Sequence, residues 1–192
     1  MTTSEIRTRR WTRAEYDRLI ALGVLDEDEP VELIGGQIVV AEPQGRYHAG
    51  AIVAVDYALR GVFGSGWVVR TQLPVTLDDD SEPEPDVAVV AGSPRGQYGT
   101  HPSRAALIVE VAESSLASDR EIKGSLYARA GIADYWIVNL RDHVLEVHRE
   151  PVADAAAPHG WRYASVTTLS PGETVSPLAA PAARIPVADF LP

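Results

Sequence analysis

Two carboxylates sit where a carboxylate is costly. Glu110 lies inside ALIVEVA, with apolar neighbours on both sides. A charge in a central strand needs a partner or a cation. Strand alternation puts Glu110 on the face of Ile108 and Ala112. Asp86 stands at the entrance of a second apolar strand in EPDVAVV, where Pro85 is tolerated. If these strands are neighbours, both acids converge at one end of the sheet. Lys123 follows in DREIKG, on a helix that could carry its ammonium to them. Arg120 and Tyr127, at i−3 and i+4, share roughly the same helical face. Glu32 in the apolar segment VELI is a similar oddity, and His48 lies near the start of another helix, in GRYHAG. Oxygen ligands without cysteine suit Mg²⁺ or Mn²⁺ better than zinc. A lysine beside such an ion can orient water and offset charge on a pentacoordinate phosphate. The parts are those of a phosphodiesterase.

Taken singly, each residue has a plain structural reading. Asp86 could cap a turn after Pro85, and Glu110 could pair with Arg104 or Arg120. Lys123 could be solvated, Glu32 could lie at an exposed hairpin edge, and His48 could bond a neighbour within its helix. The set, acid at a strand entrance, acid in the next strand and lysine on the helix behind, has the order of the PD-(D/E)XK nucleases.

Several elements must position that set. Thr12 and Glu15 have capping-box spacing, predicting a helix over 13–22 that stops at Gly23. VELIGGQIVV predicts a hairpin turning at Gly35-Gly36. A helix follows in YHAGAIVAVDYALRGVF, with Ile52, Val55 and Leu59 at helical spacing. WVVRTQLPVTL, PDVAVV, ALIVEVA, DYWIVN, VLEVHRE and WRYASVTTL are strand candidates. The acidic run DDDSE reads as a solvated turn, and 91–104 as a loop. Ser118 with Glu121 is a second capping-box candidate, opening a helix that ends at Gly131. Helices between strands, without regular βαβ alternation, predict an α/β fold with a mixed central sheet flanked by helices. The 192 residues suit a single domain over 1–192, with a core of about 11–150 and a C-terminal extension over 151–192.

With those residues in place, the chain resembles the Uma family of restriction-endonuclease-like proteins, from about Trp11 to Glu150. The marks are VELIGGQIV, the histidine of RYHAGAIVAV, EPDVAVV, LIVEVAESS and, above all, SDREIKGSLYARAGIADYWIVN. The resemblance implies a restriction-endonuclease-like core and a divalent-metal-dependent DNA endonuclease, with Mg²⁺ or Mn²⁺ as cofactor. It makes Asp86 the acid of the PD element and Glu110 the second acid. The simplest family pattern places lysine two residues later, where this chain has Ala112; the resemblance moves that role to Lys123. Glu32 matches the early glutamate and His48 the histidine after the hairpin. The implied ligands are Asp86, Glu110 and the Val111 carbonyl for one ion, with Glu32 for a second ion or a metal-bound water. Val31, Gly35 and Asn139 depart from the usual tyrosine and two aspartates.

Composition bounds the rest. Formal net charge is −10, from 17 basic and 27 acidic side chains. That argues against a simple electrostatic nucleic-acid binder and leaves room for an enzyme meeting phosphate through a cation. It also lends weight to an alternative, a catalytically inactive nuclease-like binding or regulatory module. A two-acid glycosidase leaves Lys123 without a role. The absence of cysteine excludes a disulfide framework and a thiolate zinc site, and fits a reducing, cytoplasmic setting. The polar, basic MTTSEIRTRRW does not read as a signal peptide, and no apolar run is long enough to span a bilayer. DNA is the expected partner. The apolar stretch ARIPVADFLP and an exposed sheet edge suggest a homodimer.

Overall fold

Thr12 opens the first helix. Its hydroxyl accepts from the Glu15 N–H, and the Glu15 carboxylate accepts from the Thr12 N–H, closing the expected capping box on α1 (Arg13–Ala21). The computed structural model describes residues 8–26, 29–41 and 44–192. Residues 1–7 of the basic N-terminal segment and 27–28 of the first acidic run lie outside the described residues.

β1 (Val31–Ile34) and β2 (Gln37–Val40) pair antiparallel as a separate hairpin. Gly35 and Gly36 turn it with φ of +54° and +77°, a conformation that penalises side chains with a Cβ. Tyr16 of α1 packs against Val31 and Leu33 and donates its hydroxyl to the Val31 carbonyl at 2.9 Å. α2 (Arg46–Val62) buries Ile52, Val55 and Leu59, the spacing expected of an amphipathic helix.

The central sheet has six strands in the order β3 (Trp67–Thr71), β4 (Val87–Ala91), β5 (Leu107–Ala112), β6 (Asp134–Asn139), β7 (Val144–Ala153) and β8 (Trp161–Leu169). Only β5 and β6 run parallel, so the sheet is mixed as expected. A parallel pair needs a long crossover, and here it is helical: α3 (Leu116–Ser118), a π turn (Asp119–Lys123) and α4 (Gly124–Arg129). Alternation in β5 sends Val109 and Val111 into the core with Ile52, Val55 and Leu59 of α2, and Ile108 and Ala112 into the core with Tyr127 and Ala128 of α4. The sheet is thus covered on both faces.

Several details differ from the sequence reading. Ser118 is no N-cap: it has helical φ and ψ and makes no side-chain cap bond, because the helix already starts at Leu116. The run DDDSE is more than a solvated turn. Asp78 and Asp80 both hold Arg129 of α4 at 2.6 Å, while Ser81 and Glu82 are buried against the β1–β2 hairpin. Segment 91–104 contains a short 3₁₀ turn at Pro94–Gln97. ARIPVADFLP is not a free apolar surface. Ile185, Val187 and Phe190 are buried in the α2-side core, and Phe190 meets Trp136 with ring centroids 6.0 Å apart. The boundary drawn near residue 150 falls inside β7, and β8 belongs to the same six-stranded sheet.

Candidate active site

The register between β4 and β5 pairs Val87 with Val109. One step further, as the ladder opens, Asp86 comes opposite Glu110. The two backbones hold the acids together. Val111 N–H donates to Asp86 Oδ2 at 2.8 Å, and Asp86 N–H reaches Glu110 Oε2 at 3.3 Å. Both residues are buried, Asp86 at 8% and Glu110 at 3% exposure.

The helical crossover supplies the cation. Lys123 Nζ donates to Glu110 Oε1 at 3.1 Å and to Glu32 Oε1 at 3.3 Å. Glu32 is therefore no hairpin-edge residue; it lies against the site, and its Oε2 accepts from Glu84 N–H at 3.3 Å. His48, in the first turn of α2, places Nε2 3.2 Å from Asp86 Oδ1. All five candidate side chains and Val111 line one cleft of about 610 Å³. Neither Arg104 nor Arg120 is the partner of Glu110. Arg120 instead makes a two-pronged pair with Glu146 of β7, at 3.0 and 2.6 Å.

The π turn explains that divergence. Gly124 N–H donates to the Asp119 carbonyl five residues back, and that carbonyl also accepts from Tyr135 OH at 3.0 Å. The wider turn breaks the i−3 alignment of an ordinary helix, so Arg120 swings toward β7 while Lys123 and Tyr127 stay with Glu110. A Cβ on residue 124 would lie 3.2 Å from the Asp119 carbonyl oxygen, which is why glycine fits there.

Three groups went unassigned in the sequence. Tyr127, noted only for its helical face, donates its hydroxyl to Glu110 Oε1 at 2.7 Å. Asp119, 3% exposed, lines the cleft and accepts from Ser115 Oγ at 2.5 Å. Its spacing of four from Lys123 was the available signal. Glu84, two residues before Asp86, lies at the cleft as well.

Negative charge is in surplus. Glu32, Glu84, Asp86, Glu110 and Asp119 line the cleft against Lys123 and His48. Burial pushes Glu110 up to about 8; Lys123 opposes the shift, and Asp86, Asp119 and Glu32 add to it. Asp119 is pushed up to about 6, by burial first. Burial works against the Lys123 ammonium, but Glu110 and Glu32 outweigh it and hold it charged. His48 is likewise raised, its desolvation overcome by the hydrogen bond and charge of Asp86. Among the described residues, no three His, Cys, Asp or Glu side chains form a ready-made ligand shell. The donor chemistry still fits a hard divalent ion. The donors are oxygen, the cleft lacks positive charge, and Glu110 Oε2 accepts a long bond, 3.3 Å, from Asp86 N–H.

A family model described as "Putative restriction endonuclease", Uma2, matches residues 13–188. The chain belongs to the Uma2 family. Among solved structures it is similar to one described as a putative nuclease belonging to DUF820 from Anabaena variabilis ATCC 29413. That match has a TM-score of 0.64 and 18% sequence identity, covering 90% of this chain and 96% of the other. At that identity the likeness concerns the fold, which is restriction-endonuclease-like. No curated protein matches. The Uma2 match extends past the segment that carried the resemblance, through β8 to the buried C-terminal turn at Val187. Among the described residues, no helix is long and apolar enough to cross a membrane.

Proposed function

We propose that this Uma2 protein is a DNA endonuclease that hydrolyses phosphodiester bonds with Mg²⁺ or Mn²⁺. The observation that carries the reading is the contact of Lys123 with both Glu110 and Glu32 beside Asp86, in one cleft. Asp86, Glu110 and the Val111 carbonyl would hold one ion, and Glu32 a second ion or a metal-bound water. A divalent ion held by these residues would lower the pKa of water and offset charge on the phosphate. Lys123, held charged, orients the attacking water and stabilises the pentacoordinate phosphate. Tyr127 fixes Glu110 through its 2.7 Å bond. His48, held beside Asp86, donates to the scissile phosphate. The restriction-endonuclease description of the family supports DNA as substrate.

Supercoiled plasmid and Mn²⁺ provide the test. The parent should nick the plasmid, and Asp86→Ala and Lys123→Ala should each slow nicking by about 100-fold or more. Cleavage unchanged in both variants would belong to a contaminant and end the proposal. The surplus of acidic side chains at the cleft, with a net charge of −10, favours a second reading, an inactive nuclease-like binding module. That reading gains if the parent binds Mn²⁺ yet never nicks.

A further inference from the structure

Among the described residues, three that are not glycine take positive φ: Gln72 at +51°, His143 at +53° and Glu150 at +60°. His143 closes the turn between β6 and β7, and Glu150 lies where the β7–β8 register skips a pair. Gln72 lies one residue past the end of β3 and lines the cleft. A glutamine in this conformation is strained, and such strain persists only where the surroundings fix it. Here they do. Gln72 N–H donates to the Asp86 carbonyl at 3.1 Å. Arg70, 6% exposed, braces the same bend: it donates to the Pro74 carbonyl at 3.2 Å and to Gln97 Oε1 at 3.1 Å.

The strain serves no packing. Gln72 is exposed, and among the described residues its carboxamide makes no hydrogen bond. The sheet fixes where it stands. Thr71 pairs with Val87, so Gln72 comes opposite Asp86. Strands lie about 4.8 Å apart. Gln72 is therefore one strand to one side of Asp86, and Glu110 one strand to the other. A cation shared by the two acids lies on the far side of Asp86 from Gln72. Within reach of the carboxamide is whatever passes Asp86 on the β3 side.

A neutral donor suits that place. The carboxylates of the cleft already hold its cations: Glu110 and Glu32 hold Lys123, and Asp86 holds His48. A further cation beside Asp86 would be captured in the same way. A carboxamide stays free to donate its two N–H bonds. A strand gripped at its scissile phosphate must carry the next phosphate past a wall of the cleft. We infer that the Gln72 carboxamide donates to the phosphate next to the scissile one in the bound DNA strand. That the ligand is DNA rests on the nuclease reading. Such a contact sets the register of the strand and reads no bases.

Fluorescence anisotropy of labelled duplexes, one A·T-rich and one G·C-rich, reads DNA binding by the full chain in Ca²⁺. Gln72→Gly keeps the backbone conformation without strain and removes the carboxamide. It should melt like the parent and bind both duplexes about tenfold more weakly. Gln72→Glu, which loses the N–H donors and adds a charge, should bind more weakly still. Calorimetric titration of Mn²⁺ separates this contact from a role in holding Asp86: Gln72→Gly should bind Mn²⁺ like the parent. Unchanged DNA affinity in either variant would overturn the inference. So would a loss confined to one duplex, an equal loss of Mn²⁺ affinity, or no DNA binding by the parent. A parent that binds DNA but never nicks plasmid ends the nuclease reading and leaves the contact standing. A parent that nicks, with Gln72→Gly binding DNA equally well, does the reverse.

Discussion

At the scale of single residues, the site is an imbalance of charge held in place by hydrogen bonds. One ammonium cannot neutralise Glu110, Glu32, Asp86 and Asp119 together, and burial among these charges makes Glu110 and Asp119 hold their protons to higher pH than usual. This has a thermodynamic sign. The ordinary value for Glu110 is 4.5, and its folded value is pushed up to about 8. Between these the folded state binds more protons than the unfolded chain. Stability is therefore fully present below about 4.5 and falls as pH rises toward 8. Chemical denaturation of metal-free protein across that window should show the decline, and Glu110→Gln, which cannot ionise, should flatten it. A decline of equal slope in Glu110→Gln would assign the effect elsewhere. Asn139, which departs from the usual aspartate, has a structural task. Its Oδ1 accepts from the Arg141 and Asp142 N–H groups, and its Nδ2 donates to Asp142 and Glu146.

At the scale of elements, the π turn sorts one helix's side chains between two destinations. Gly124 permits it, because the widened turn brings the Asp119 carbonyl within 3.2 Å of any Cβ there. Gly124→Ala should force that carbonyl away from Tyr135 OH and re-aim Lys123. Nicking should fall at least tenfold, while the melting temperature drops only modestly, by an amount expected of a strained core contact of about 1–3 kcal/mol. Equal activity with an unchanged melt would remove the π turn from the account. This element also marks the limit of what the sequence made legible. The strands, the hairpin, α1 and α2 were readable because apolar period and turn glycines state them locally. Asp86, Glu110 and Glu32 were readable as acids in or beside apolar runs, and Lys123 and His48 by their helix positions and the family resemblance. A π turn has no local signature: the Asp119 carbonyl at its start is held by Tyr135 OH, 16 positions away. The misjudged face of Arg120 follows from that turn, while the cap was misplaced at Ser118 because the helix already starts at Leu116. The acidic run was misread for a like reason, since Arg129 reaches Asp78 from 51 residues downstream.

At the scale of the whole molecule, a two-faced sheet carries both acids to the point where β4 and β5 part, and everything else closes on that point. The C-terminal turn is part of this closure. Phe190 is fully buried against Trp136 beneath the sheet, so Phe190→Ala should cost about 3–5 kcal/mol of stability. Denaturation curves read this directly, and a loss under about 1 kcal/mol would show the turn to be peripheral. The same burial removes these apolar side chains as an interface between copies. The central claim is that the converging carboxylates clasp a hard cation. Calorimetric titration of Mn²⁺ into the parent, Asp86→Ala and Glu110→Gln, each first shown to be folded, tests it most directly. The account predicts saturable binding by the parent, tighter at pH 8 than at pH 6 because protons must leave the site, and at least a tenfold loss of affinity in both variants. Equal affinity in all three proteins, or no binding by the parent at either pH, would contradict it.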